Sequence, residues 1–386
     1  MGERDPFGLT PSAWESYAAG AGLPAYRGRQ LFDAIQRRGV SDYSAMKELP
    51  SALRERLARE MPLRRPEVVR REASADGSVK FGLRLEDGAL VEAVFMPGDE
   101  TRSAANEFED ARAARNPKSE IRNPKPGAGT TVDRFTVCLS SQTGCAVDCA
   151  FCVTGRLGGG RNLTAGEILA QLHAVLAETR HGLDGMRIVF MGMGEPFLNP
   201  DGVLPAVEIL FELVSPRRVT VSTSGITPAF ATFAAPAKRP NLAVSQNAAD
   251  QATRERLMPI TKTYPLDGLL SAMRAWPLEP RRRILIEYVL IAGVNDREED
   301  ARRLARLLAG IPVKVNVIPL NEDSTYLPGW KRPSEDVIDR FVGRLADAHV
   351  TVTVRRSKGP DASAACGQLK GRTEDPRRGV RPAGRS

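Results

Sequence analysis

Hydrophobic positions change period along the chain, and each change marks a new kind of structure. Over the first 65 residues they recur at helical spacing. Pro11 to Ala19 opens after Thr10, Arg27 to Arg38 presents Leu31, Phe32 and Ile35 on one face, and Ala52 to Met61 follows. From Glu67 to Met96 apolar and polar residues alternate in VVRREA, VKFGLRL and LVEAVFM, with Asp76-Gly77 and Asp87-Gly88 as turn formers between them, so an antiparallel meander is predicted. Residues 101–133 lose the pattern: Arg115-Asn116-Pro117-Lys118 nearly repeats as Arg122-Asn123-Pro124-Lys125, and large apolar residues almost vanish after Phe108. An exposed, poorly ordered insertion is expected there.

From Phe135 to about Ser357, β-branched apolar runs alternate with helical stretches. FTVCLSS precedes a helix near Ala165 to Thr179, MRIVFMG precedes Gly202 to Leu213, and RVTVSTS precedes a helix beginning near Pro228. LAVSQ, RRILIEYVLI and VKVNVIPL are each followed by a helical stretch as well. Six βα units in succession predict an α/β fold: a parallel sheet curved into a partial (βα)6 TIM-like barrel with its active site at the strand C-termini. The expected organisation is a helical accessory module over 1–65, a β meander over 66–100, the insertion over 101–133, the barrel over 134–369 and a basic, flexible tail over 370–386. That tail carries six positive and two negative side chains, which suits solvent or phosphate contact.

Composition adds limits rather than identity. Hydrophobic residues make up 42% of the 386 and charged residues 26%, an ordinary globular balance. No apolar run of about 18 residues occurs and the start MGERDPFG is charged, so a cytoplasmic protein with no membrane association is expected. The net charge of +8 favours a polyanionic partner without naming one.

The cysteines change the picture. Three of the five fall within eight residues, Cys145-Ala146-Val147-Asp148-Cys149-Ala150-Phe151-Cys152, in a loop just after the first barrel strand. Three thiolates hold three corners of an iron-sulfur cube, whereas a closed cluster takes four, so one iron would remain open for a ligand. A zinc loop or buried packing thiols are the other readings. Zinc wants a fourth Cys or His nearby, and His173, His181 and His349 lie in helical or strand-end patterns without ligand spacing. At the next strand end, the glycines of Gly192-Met193-Gly194-Glu195-Pro196 let the backbone approach a ligand while Glu195 offers an acceptor to an ammonium group.

These motifs give the chain a resemblance. Cys138-Leu139-Ser140-Ser141-Gln142-Thr143-Gly144-Cys145, Arg161-Asn162-Leu163-Thr164, Met191-Gly192-Met193-Gly194-Glu195-Pro196, Ser222-Thr223-Ser224-Gly225, Ile286-Glu287-Tyr288-Val289 and Ala364-Ala365-Cys366-Gly367-Gln368-Leu369 all match one family. Over nearly its whole length the sequence resembles the radical S-adenosylmethionine superfamily and, within it, the dual-specificity RNA adenine-C2 methyltransferases.

That resemblance implies a 4Fe-4S cluster on Cys145, Cys149 and Cys152, and two molecules of S-adenosylmethionine per turnover. Gly194 and Glu195 would receive the methionyl amino group, with Ser222, the Ser245-Gln246-Asn247 stretch and Asn321 around the same cofactor. Gln246 departs from the family's usual pattern at its position. Carbon 2 of adenine is too electron-poor to attack a sulfonium methyl, so a carbon radical is required. Cys366 would carry a methyl group that a 5′-deoxyadenosyl radical activates; its methylene radical would add to adenine, and Cys138 would resolve the adduct by a disulfide with Cys366. Glu92 would accept the proton that rearomatises the base. The implied partners are 23S rRNA, tRNA as a second substrate class, and a flavodoxin-type electron donor. The module over 1–65 would bind RNA, and a monomer is expected. A carbon-8 rRNA adenine methyltransferase of the same superfamily and a non-catalytic iron-sulfur RNA-binding or redox-sensing protein are the alternatives. An RNA methylthiotransferase would need further cysteines for a second cluster.

Overall fold

The computed structural model describes residues 5–98, 134–355 and 368–369. Ten strands form one sheet in chain order: β1 (Glu67–Ala73), β2 (Val79–Arg84), β3 (Leu90–Pro97), β4 (Phe135–Cys138), β5 (Met186–Phe190), β6 (Val219–Thr223), β7 (Asn241–Ser245), β8 (Ile284–Leu290), β9 (Val313–Pro319) and β10 (Val352–Val354). The meander pairs antiparallel, β3 pairs antiparallel with β4, and every pairing from β4 to β10 is parallel. The six expected βα strands are all present. A seventh parallel strand, β10, joins them, too short to announce itself in the pattern.

The sheet is curved. Five strand spacings of about 4.8 Å would separate β5 from β10 by roughly 24 Å in a flat sheet. Yet Arg355, just past β10, brings Nη1 to 3.9 Å from Sδ of Met191, just past β5. A side chain spans that gap only if the ends of β5 and β10 face one another, which is partial barrel geometry.

One face of the sheet is covered by helices. Val91, Ala93, Phe95, Phe135 and Val137 join the main core with Ile168, Leu169, Leu172 and Val175 of the helix Ala165–Thr179. That helix starts where the sequence indicates: Thr164 accepts from Glu167 N while the Glu167 carboxylate accepts from Thr164 N, a capping box that satisfies donors at the N-terminus. Among the described residues no helix is long and apolar enough to cross a membrane.

The N-terminal module is built from helices Pro11–Gly20, Tyr26–Phe32 and Ser51–Glu60. The expected helix from Arg27 to Arg38 widens into a π turn over Asp33–Arg37, and Gln36 within it is fully buried. Its amide donates to Phe7 O at 2.7 Å, and its carbonyl oxygen lies 2.9 Å from His173 Nε2, which acts as the donor. The histidine therefore docks the module on the barrel through the helix Ala165–Thr179. The Phe7 ring packs against it at 5.3 Å.

Burial, with a smaller push from Arg65, lowers the pKa of His173 from an ordinary 6.5 to about 3. The unfolded chain binds this proton more readily than the folded one, so stability is lost as pH falls from 6.5 towards 3. Urea unfolding should show this decline, amounting to a few kcal/mol for a shift of that size. His173→Gln should flatten the pH dependence relative to the wild type between pH 6.5 and 4. Parallel pH profiles for the two proteins would refute the assignment.

Candidate active site

The register of β3 against β4 decides which side chains meet. Val94 lies opposite Cys138, and Gly82 and Lys80 of β2 lie opposite Glu92 and Val94. Directly opposed residues and residues two apart on a strand share a face. Glu92, Val94, Lys80 and Cys138 are therefore all on the sheet face turned away from the helical core. Cys138 is buried with Val94, Met193 and Leu369 in a small apolar cluster of its own.

Glu92 is enclosed rather than solvated, although a lone glutamate on a strand would more often face water. Its side chain is 1% exposed and ion-paired with Arg70; Lys80 Nζ, 2% exposed, lies 3.8 Å from the same carboxylate and 2.8 Å from that of Glu72. Arg70 Nε also reaches Glu72 at 3.3 Å. The carboxylate is thus fixed by two cations of the other meander strands, Arg70 of β1 and Lys80 of β2.

Beyond β4 the chain interlocks with the loop after β5. The Ser140 hydroxyl donates to Glu92 O at 2.6 Å and accepts from Met193 N at 2.9 Å. Gln171, buried on the helix Ala165–Thr179, bonds both the N–H and the carbonyl of Ser140 at 3.1 Å. Gln142 accepts from Glu195 N at 2.8 Å and donates to Asn162 at 2.7 Å. Asn199 donates to the carbonyls of Ser141 and Leu163 at 2.9 and 2.8 Å. Gly194 has φ +99°, and a Cβ there would come within 2.7 Å of Gln142 N, so only glycine permits this approach.

The cysteine loop is held at both ends. Cys145 N donates to Gly158 O at 2.9 Å, Cys152 N to Cys149 O at 3.0 Å, and Ala150 N to Leu257 O at 2.9 Å. Burial pushes the Cys145 thiol up to about 12, with Cys152 and then Glu195 adding to the rise. Cys149 is raised for the same reason and by both other cysteines, while Arg254 opposes the shift. These mutual effects put three thiols and Glu195 in one neighbourhood. Among the described residues no three His, Cys, Asp or Glu side chains close up as a single-ion site. The donor set suits a larger group: bringing three thiolates together is unfavourable unless positive charge is bound among them.

The expected cofactor residues fall at the strand ends. Glu195 is buried; one oxygen accepts from Phe197 N at 3.0 Å and the other from Ser224 N at 2.6 Å. Burial nevertheless raises its pKa. Ser222 and Ser245, on β6 and β7, are half-buried, as is Asn321 after β9. Asn247, at φ +52°, commits its side chain to Val289 N at 2.8 Å and Met258 Sδ at 3.3 Å, so it shapes the loop. Gln246 donates to Ala248 O at 2.9 Å, but its Oε1 is buried without a partner. Glu287 Oε2, on β8 opposite Ser245, is also buried and unpartnered. Such orphan acceptors fit a pocket that takes a polar ligand. Cys366 lies outside the described residues, as do 101–133 and the tail from 370.

Sequence reasoning missed Gln171, Asn199 and Arg254. Each is a single buried polar residue in an otherwise ordinary helical or turn context, where no spacing betrays it. A glutamine inside an apolar helical stripe was the one available hint.

The comparisons with known proteins agree with this arrangement. Residues 139–305 match the radical SAM superfamily. A dual-specificity RNA methyltransferase RlmN of Geobacter sulfurreducens is 41% identical over 374 residues, covering 95% of this chain and 92% of that one. Its counterpart from Sorangium cellulosum is 42% identical, covering 94% and 95% respectively. The crystal structure of a radical SAM methyltransferase from Sphaerobacter thermophilus superposes with a TM-score of 0.80 at 38% identity, covering 95% of this chain and 99% of that one. With its cysteine loop, its Gly194-Glu195 turn and end-to-end likeness to these relatives, the chain belongs to the dual-specificity RNA methyltransferase RlmN family of the radical SAM superfamily.

Proposed function

We propose that the protein methylates carbon 2 of adenine in 23S rRNA and in tRNA, through a methylated Cys366 and a Cys138–Cys366 disulfide, with a 4Fe-4S cluster on Cys145, Cys149 and Cys152. The observation that carries this reading is the packing of Leu369 against Cys138 and Val94. Leu369 follows Cys366 by three residues, and its carbonyl accepts from Thr154 Oγ1 at 2.6 Å. Three residues of extended chain reach at most about 11 Å, which is compatible with a bond between the two thiols.

When bound, the cluster and S-adenosylmethionine supply an electron and a 5′-deoxyadenosyl radical, the reagent that an electron-poor carbon requires. The protein orients and protects. Glu195, beside the cysteine loop, receives the methionyl ammonium, and the Gly194 turn lets the ligand approach. Gln246 Oε1 and the hydroxyls of Ser222 and Ser245, with Asn321, line the remainder of the cofactor pocket. Glu92, on the same face as Cys138, takes the proton leaving carbon 2. The helical module over 1–65 and the basic tail over 370–386 supply phosphate contacts. A flavodoxin-type reductant delivers the electron, and the protein works as a cytoplasmic monomer.

Anaerobically reconstituted protein should bind about four irons per chain and form 5′-deoxyadenosine when given reductant, S-adenosylmethionine and RNA. Mass spectrometry of the nucleosides should show 2-methyladenosine. An 8-methyl product would redirect the chemistry to the neighbouring carbon, and iron uptake without cofactor cleavage would favour a redox-sensing role.

Replacing Cys366 with Ala should abolish methylation. Cys138→Ala should leave RNA covalently attached, visible as a nuclease-sensitive band shift on a denaturing gel. Normal turnover by Cys138→Ala would remove the resolving thiol from the scheme.

A further inference from the structure

One buried cation has no part in the scheme above. Arg254, in the helix Gln251–Leu257, is 0% exposed. Its Nη2 donates to Ser224 O at 2.6 Å and to Ser245 O at 3.0 Å, Nε donates to Gln246 O at 3.2 Å, and Nη1 donates to Thr261 Oγ1 at 2.6 Å. All four acceptors are neutral oxygens. A hydrophobic residue would fill this volume without the cost of desolvating a guanidinium. Burial pulls the pKa down to about 10, opposed by Cys149 and Glu195, so the group remains a cation at neutral pH.

Its position explains what the charge faces. The same helix ends at Leu257, whose carbonyl receives Ala150 N of the cysteine loop. Cys149 packs against the apolar group of Leu257 and Met258. The three carbonyls that Arg254 gathers belong to the ends of β6 and β7, where the cofactor pocket lies. One side chain therefore ties two strand ends together and places a fixed positive charge on the helix against whose end Cys149 packs.

Resting on the cluster reading above, we propose that Arg254 is a positioning and charge-compensating residue: it holds the Ser224, Ser245 and Gln246 carbonyls in register around S-adenosylmethionine and offsets the negative charge of the thiolate-ligated cluster. Adding one electron to the cluster makes it more negative by one unit, so a fixed cation at short range stabilises the reduced form more than the oxidised one. Lysine would keep the charge but cannot reach three carbonyls with one planar fork. Glutamine would lose the charge.

The test compares wild type, Arg254→Lys and Arg254→Gln as anaerobically reconstituted full chains. Iron content, an EPR-monitored redox titration and equilibrium binding of S-adenosylmethionine are measured for each. Arg254→Gln should retain its irons while the ratio of reduced to oxidised cluster at a fixed potential falls about tenfold, which is about 59 mV for one electron. Arg254→Lys should keep a near-wild-type potential but bind S-adenosylmethionine at least fivefold more weakly. A wild-type potential in Arg254→Gln refutes the charge role, and unchanged affinity in Arg254→Lys refutes the positioning role. If the glutamine protein does not fold, a tenfold fall in the reduced fraction in the lysine protein still overturns charge compensation. Wild-type protein that takes up no iron would instead sink the cluster reading itself.

Discussion

The antiparallel pairing of β3 with β4 is the constraint on which the site depends. Because side chains alternate along a strand, a slip of one residue between them would turn either Cys138 or Glu92 into the helical core and bring Val137 or Ala93 out in its place. The apolar residues of the two strands forbid that slip: Phe95, Phe135 and Val137 are buried in the same main core as Ile168, Leu169 and Leu172 of the helix Ala165–Thr179. Hydrophobic packing on one face thus sets the chemistry of the other. The same pairing brings Ser140 to the Glu92 carbonyl, which starts the interlocking of the loops after β4 and β5.

Those loops show how a site without much regular structure is kept rigid. Ser140, Gln142, Asn199 and Gln171 are buried, and each bonds backbone groups of a different segment. In a low-dielectric interior each such bond is strong and each missing one is costly. The loops are therefore held by polar contacts where the barrel itself is held by apolar ones. Two of the acceptors left over, Gln246 Oε1 and Glu287 Oε2, lie where the parallel strands end or face the interior, the side on which barrels of this type receive ligands.

Much of this was legible because it is local in sequence. The cysteine triad announces itself by spacing, the helix Ala165–Thr179 by its capping box, and the six parallel strands by β-branched runs between helices. What could not be read depends on register or on distant partners. The burial of Glu92 is set by Arg70 and Lys80 on other strands, and no sequence period encodes their alignment. The continuity of the meander with the barrel is hidden because 37 residues separate β3 from β4 in the chain. β10 has three residues, too few to show alternation. Arg254 reads as a routine helical arginine until the fold encloses it. The helix expected from Arg27 to Arg38 is present in extent, but the π turn that carries the buried Gln36 has no mark in the spacing.

The helix Ala165–Thr179 is gripped from two sides. His173 bonds the N-terminal module through Gln36, and Gln171, two residues away and roughly 200° around the axis, bonds Ser140 in the loop that leads to the cysteines. A rod clamped on opposite sides cannot roll without breaking one clamp. A displacement of the module is therefore passed to the base of the sulfur-bearing loop as a displacement of the whole unit.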